Sequence, residues 1–129
     1  PTGGSRHFST AWGDYDGNGA PDLYMTDGFG GGNLLFQNET PGSRFIKVHV
    51  QGKGGQQGGA SASGIGARVT LFDDGSQLVA YRQVTDVAGL IFGVQEGQSY
   101  SVEVRFPGSS SVITLSGLQG GDQRTVVEP

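Results

Sequence analysis

The sequence of 129 residues contains no cysteine, which excludes disulfide bonds and thiol chemistry and leaves the redox compartment undetermined. It also lacks any apolar run near the roughly 18 residues that a membrane-spanning helix needs, so we expect no membrane insertion. The 8 basic residues are scattered, and the formal net charge is −4. Without a cluster of Lys and Arg, binding to nucleic acid is not expected.

The residues needed for catalysis are similarly sparse. A nucleophilic triad requires His beside Ser or Cys, but the chain has 2 His and no Gly-x-Ser-x-Gly elbow. His7 lacks the clustering of a metal ligand, and Asp73 and Asp74 precede Gly75 in the pattern of a hairpin turn. We therefore expect no enzymatic activity. Because the chain starts at Pro1 rather than Met, we expect it to belong to a longer parent chain.

Glycine, by contrast, is abundant at 25 residues, and it separates short segments whose apolar side chains alternate with polar ones. The clearest alternation runs from Tyr100 to Phe106 and is typical of a half-buried strand. No 3.6-residue periodicity indicates a helix. The predicted strands are 8–13, 22–26, 33–37, 45–50, 64–72, 77–85, 90–94, 100–106, 111–115 and 123–128. The sequence therefore predicts an all-β fold, an antiparallel β-sandwich or barrel.

Between the first two predicted strands, side-chain oxygens recur at alternate positions, in Asp14, Asp16 and Asn18, and again in Asp22. Ala20 completes the series with its backbone carbonyl, and Gly19 supplies the sharp turn at the sixth position of a calcium loop. Three carboxylates this close repel one another, and a hard cation relieves that repulsion. A flexible set of oxygens suits Ca²⁺ better than Mg²⁺. The alternative is an Asp/Asn/Gly-rich hairpin turn without a metal.

The loop and its flanks resemble an FG-GAP (VCBS-type) repeat. The matching segments are AWGDYDGNGAPDLY at residues 11–24 and NLLFQN at residues 33–38. The resemblance implies a calcium loop between two strands of one blade of an integrin-type β-propeller. A propeller needs several such blades, and this sequence carries one. A helical EF-hand is not predicted, because Met25 stands where its bidentate Glu would be.

The remaining chain resembles an ASPIC/UnbV domain, a family found after FG-GAP arrays in secreted proteins. The matching segments are FIKVHV (45–50), GIGARV (64–69), IFGV (91–94), VEVRFPG (102–108) and DQRTVVE (122–128). The sequence departs from the family before GIGARV, where Asn-Arg is missing, in the shortened segment 86–89, and at Phe106, where the family has Trp. These matches divide the chain into an N-terminal three-strand appendage, residues 1–43, and a β domain, residues 44–129.

Two further segments carry expectations of their own. Residues 84–104 are similar to CnaB-type adhesin domains, which implies an isopeptide bond from Lys47 to an Asp or Asn. The strand alternation instead places Lys47 at the surface, opposite the apolar face of its strand. Residues 51–63, rich in Gly, Gln, Ser and Ala, predict an exposed and mobile loop.

Taken together, these features predict a non-catalytic extracellular module of a secreted or cell-surface protein, with Ca²⁺ as a structural ion. Its partner would be an extracellular protein or polysaccharide. The alternative is a calcium-dependent carbohydrate-binding module, whose sugar-stacking residues would be the aromatics near the loop: Trp12, Tyr15, Tyr24 and Phe29. We expect these aromatics to pack in the core instead, because aromatic residues on strands usually do so.

Overall fold

The computed structural model describes residues 7–28, 30–54 and 59–129, except for the side chains of His7 and Phe8. The strands are β1 (His7–Gly13), β2 (Asp22–Asp27), β3 (Leu34–Phe36), β4 (Phe45–Gln51), β5 (Arg68–Asp73), β6 (Leu78–Gln83), β7 (Leu90–Gly93), β8 (Tyr100–Arg105), β9 (Val112–Leu118) and β10 (Gln123–Val127). A 3₁₀ turn, Gly42–Arg44, precedes β4. The prediction of an all-β chain is confirmed. The described residues include no helix with the length and apolarity to cross a membrane.

The strands form three sheets. β1, β2 and β3 make the N-terminal sheet, while β10–β4–β7 and β6–β5–β8–β9 make the two sheets of the β body. None of the three sheets closes on itself, so the sandwich is confirmed and the barrel alternative is wrong. The expected antiparallel pairing holds except that β10 runs parallel to β4. The N–H of Gly121 donates to the Phe45 carbonyl at 2.8 Å, so β10 starts beside the start of β4.

The core of the β body lies between its two sheets. The alternation of β4 buries Ile46, Val48 and Val50 on one face, as predicted, and leaves Lys47 half-buried on the other. The strands opposite contribute fully buried residues to the same cluster: Val69, Leu71, Val102 and Val104. Burying each aliphatic side chain of this size contributes about 1.5–3 kcal/mol. The β1–β2 loop contacts the opposite face of β4, where Asp14 meets Lys47.

One strand begins later than its sequence pattern predicts. The alternation starts at Gly64, but β5 begins at Arg68. Gly64 and Gly66 adopt positive φ angles of 69° and 91°, which end any extended strand. A Cβ at Gly64 would stand 2.6 Å from the carbonyl oxygen of Val50, so close backbone approach explains this glycine. The apolar residues that precede Arg68 in this segment therefore lie in a turn and not in a strand.

The loop predicted at 51–63 is exposed only in part. Residues 55–58 lie outside the described residues, but both flanks are held by the carboxylate of Glu128. Glu128 Oε2 accepts the N–H of Lys53 at 2.8 Å and that of Ala60 at 2.9 Å. Ala60 itself is buried. The prediction of an exposed loop is wrong at Ala60, because a residue 68 positions away ties its backbone to the body.

Candidate metal centre

The β1–β2 loop brings three carboxylates together. Asp14 follows the last residue of β1, Asp22 is the first residue of β2, and Asp16 lies between them on the loop. One carboxylate oxygen from each lies within 4.8 Å of the other two. The chain curls tightly enough because Gly17 and Gly19 adopt positive φ angles of 75° and 90°. Of the five residues predicted to bind a metal, the three acidic ones are thus shown to share one small volume.

Asp14 has one carboxylate oxygen without a partner among the described residues. Its Oδ2 accepts the N–H of Gly19 at 3.0 Å and lies 3.4 Å from the ammonium of Lys47. Its Oδ1 is buried and has no hydrogen-bond partner in the part of the chain that the structure describes. The whole side chain is 0% exposed. Leaving a buried acceptor unpaired costs about 1–3 kcal/mol, and more for a charged group. A cation at Oδ1 would remove that cost.

Asp22 is 1% exposed, and its carboxylate holds two backbone segments. Oδ2 accepts the N–H of Tyr15 at 3.0 Å, and Oδ1 accepts the N–H of Asn38 at 2.7 Å. The Asn38 side chain returns a bond from Nδ2 to the Pro21 carbonyl at 3.0 Å. These bonds clamp the loop to the segment that follows β3. Each carboxylate oxygen has a second lone pair, so Asp22 can bind a cation while keeping these bonds.

Asp16 and Asn18 form the exposed side of the site. Asp16 Oδ1 accepts the backbone N–H of Asn18 at 3.0 Å, and its Oδ2 accepts the side-chain amides of Asn18 at 3.0 Å and Gln37 at 2.6 Å. Asn18 Oδ1 accepts the N–H of Ala20 at 2.7 Å. Ala20 is fully buried beneath the loop. Asn18 and Ala20 lie in the same loop as the carboxylates, and their role as metal ligands stays a prediction.

Lys47 belongs to this centre rather than to open surface. Its side chain is 15% exposed and its ammonium faces Asp14, so the predicted surface position is wrong. Gln37, Asn38 and Lys47 contact the site's carboxylates and were not among the predicted site residues. Gln37 and Asn38 lie in the segment that carries the FG-GAP resemblance, which is a signal that could have found them. The CnaB resemblance draws attention to Lys47, but nothing local in the sequence pairs it with Asp14, which is 33 residues away.

A cleft of about 790 Å³ opens beside the loop, between the N-terminal sheet and the β body. Three of the aromatics predicted to pack in the core line it, and they are exposed: Trp12 by 68%, Tyr15 by 57% and Tyr24 by 40%. The expectation of core packing is therefore wrong for these three residues. Phe29, the fourth, lies outside the described residues. A cleft of this volume is within the range of small-molecule sites, roughly 300–1,000 Å³.

The site thus combines two acidic residues that are buried, one that is exposed, and a single ammonium against Asp14. The carboxylates of this site would coordinate a cation through oxygen, which is the ligand type preferred by hard cations such as Ca²⁺ and Mg²⁺.

Comparisons of the chain with models of protein families, with curated proteins and with solved structures found no match.

Proposed function

We propose that this chain is a non-catalytic, calcium-stabilised β module of a secreted or cell-surface protein, serving adhesion or protein interaction. The observation that carries the proposal is the buried Oδ1 of Asp14, which lacks a partner among the described residues and belongs to a cluster of three carboxylates. A plain hairpin turn has no reason to bury an unpaired carboxylate oxygen. The resemblance of residues 11–38 to an FG-GAP repeat supports the same proposal independently.

The carboxylates of Asp14, Asp16 and Asp22 would hold the ion, joined by the Asn18 amide oxygen and the Ala20 carbonyl. Calcium is preferred over zinc or copper because the set offers no nitrogen or sulfur ligand. It is preferred over magnesium because a flexible loop does not impose the strict octahedron that Mg²⁺ demands. The ion would neutralise repulsion that Lys47, at 3.4 Å from Asp14 alone, offsets only in part.

The role of the ion would be to fasten the N-terminal sheet to the β body. Asp14 is the residue through which the loop contacts Lys47 of β4, and Asp22 ties the same loop to Asn38. An ion that binds the folded state alone stabilises it by mass action, by about 1.4 kcal/mol at a tenfold excess over the Kd. Extracellular modules bind calcium with Kd values of about 10⁻⁴–10⁻³ M. An affinity in that range would accord with an extracellular location, where calcium is plentiful.

Isothermal titration of the purified chain with CaCl₂ tests the proposal directly. We expect one calcium site, a melting temperature that falls in EDTA, and loss of both effects in Asp14→Asn and Asp16→Ala. Asp74→Asn makes the same chemical change as Asp14→Asn, but in the exposed turn between β5 and β6, and should behave like the parent. Absence of binding heat together with a melting curve indifferent to EDTA would refute the calcium role.

A further inference from the structure

We propose that the cleft beside the metal centre binds a saccharide that carries a carboxylate group, and that it does so only when calcium is bound. The calcium dependence rests on the proposed function. The cleft itself, with its exposed aromatics and its cationic side chains, is independent of that function. Three observations carry the proposal: the shape of the cleft floor, the position of Arg82, and the sign of the charge around the loop.

The floor of the cleft is a flat apolar row across the N-terminal sheet. The strand register sets Ala11 opposite Tyr24 and Tyr24 opposite Leu35, so these three side chains share one face. All three line the cleft, and Ala88 and Gly89 line it from the β body. Ala11 and Ala88 are small side chains, so they occupy little of the cleft. The exposed ring of Tyr24, which lies between Ala11 and Leu35 on this face, is suited to a flat ligand with an apolar face, such as a sugar ring.

Arg82 supplies a cation at the same cleft. It lies on β6, the edge strand of its sheet, directly opposite the buried Val69, and therefore on the inner face of the sandwich. It lines the cleft, and it makes no ion pair within the described residues. A guanidinium binds a carboxylate through two parallel hydrogen bonds, which gives orientation as well as affinity. Lys47, which also lines the cleft, is engaged by Asp14.

Calcium would set the sign of the field in this cleft. The three carboxylates of the loop outnumber Lys47 and Arg82 by one formal charge, so the cleft and its loop are net negative without the ion. A divalent cation reverses that to one net positive charge. An anionic ligand would therefore be repelled by the calcium-free form and attracted by the calcium-bound form. The apolar floor, with one guanidinium that makes no ion pair among the residues that the structure describes, favours a saccharide with one carboxylate per recognised ring.

An inward-pointing arginine on an edge strand has a competing explanation, since such charges also prevent sheets from associating edge to edge. The two explanations differ in what the substitution Arg82→Gln changes. A ligand-binding role predicts altered selectivity between charged and uncharged sugars with an unchanged monomer. A purely protective role predicts self-association, seen by size-exclusion chromatography with light scattering, and no change in selectivity.

The experiment titrates the chain with trigalacturonate and with its fully methyl-esterified, uncharged counterpart, in calcium and in EDTA. We expect binding of trigalacturonate in calcium, about tenfold weaker binding of the ester because it cannot form the charge-assisted pair, and no binding of trigalacturonate in EDTA. Arg82→Gln should abolish the difference between the two sugars, whereas Arg68→Gln, an exposed arginine that does not line the cleft, should preserve it. Tyr24→Ala should weaken both sugars, and Tyr81→Ala, an exposed tyrosine outside the cleft, should weaken neither.

The outcomes separate the two proposals. Normal calcium binding without binding of either sugar would overturn the saccharide site and leave the calcium module intact. Failure of the parent chain to bind calcium would overturn the proposed function and, with it, the calcium dependence of saccharide binding. Equal affinity for the acid and the ester, or an unchanged affinity in EDTA, would overturn the selection of the ligand by its charge. Binding of a hexaglutamate peptide in place of the sugars would assign the cleft to acidic peptides and refute the saccharide.

Discussion

Replacing Gly42 with Ala should push the β1–β2 loop away from the β body and weaken calcium binding. A Cβ at this position would stand closer than 3.0 Å to the backbone carbonyl oxygen of Asn18 and 3.4 Å from its carbonyl carbon. Both atoms belong to the backbone and cannot rotate aside as a side chain would. Gly42 does not have a positive φ, so alanine introduces this contact without strain in its own backbone.

The magnitude follows from two opposing terms. Forcing an extra methyl group into a packed site costs about 1–3 kcal/mol, while alanine recovers about 0.4–1 kcal/mol by restricting the unfolded chain. The net loss of about 1–2 kcal/mol corresponds to a fall of roughly 3–10 °C in melting temperature for a chain of this length. Because Asn18 is a predicted calcium ligand, the displaced loop should also bind calcium about tenfold more weakly, equivalent to about 1.4 kcal/mol.

Gly93→Ala is the matched control. A Cβ at Gly93 meets no atom within 4 Å, and its φ is not positive either, so this variant should melt at or slightly above the temperature of the parent. Its Kd for calcium should be unchanged. Thermal melts and calcium titrations of the two variants provide the test. If Gly42→Ala loses stability but keeps its calcium Kd, the calcium ligands do not depend on how the loop docks, and the prediction is wrong.

Three further predictions test separate contacts. Asp16→Asn should have a melting temperature at or above that of the parent in EDTA and below it in calcium. The reason is that carboxylates within 4.8 Å repel by about 1 kcal/mol per pair even at the dielectric of water. A lower melting temperature in both buffers would contradict this. Lys47→Met should cost about 1–2 kcal/mol in urea unfolding in EDTA and less in calcium, since the ion takes over neutralisation; equal losses would count against it. Glu128→Gln should cost about 1–2 kcal/mol and accelerate hydrogen exchange at Lys53 and Ala60, whose N–H groups it accepts; unchanged exchange there would show that the carboxylate is dispensable.

The carboxylate cluster and the cleft share residues of the β1–β2 loop. Asp14, Asp22 and Tyr15 are residues of the loop or its ends, and all three also line the cleft. Tyr15 donates its backbone N–H to Asp22, so the position of an exposed ring is coupled to a buried carboxylate. An ion that fixes this loop would fix one wall of the cleft as well. Metal binding and ligand binding should therefore be measured on the same variants.

Local features of the sequence were sufficient to predict most of the strands and the carboxylate cluster. Alternating apolar residues predicted β4 and β8 closely, because the two-residue period of a strand depends on neighbouring positions alone. The prediction failed at Gly64–Gly66, where alternation continues through a turn whose positive φ angles the apolar pattern does not reveal. It also failed for the flanks of residues 51–63, which are held by a residue far along the chain.

The clustering of Asp14, Asp16 and Asp22 follows from their spacing alone, since residues so close along a glycine-containing loop must share a small volume. The packing of the sheets decided which oxygen of Asp14 has no partner among the described residues, that Lys47 faces the other oxygen, and that β10 pairs parallel with β4. It also decided that Tyr24 lies open in a cleft, because that surface forms between two sheets distant in the chain. The geometry of a loop depends on a few neighbouring residues, whereas burial and charge pairing depend on how whole sheets pack.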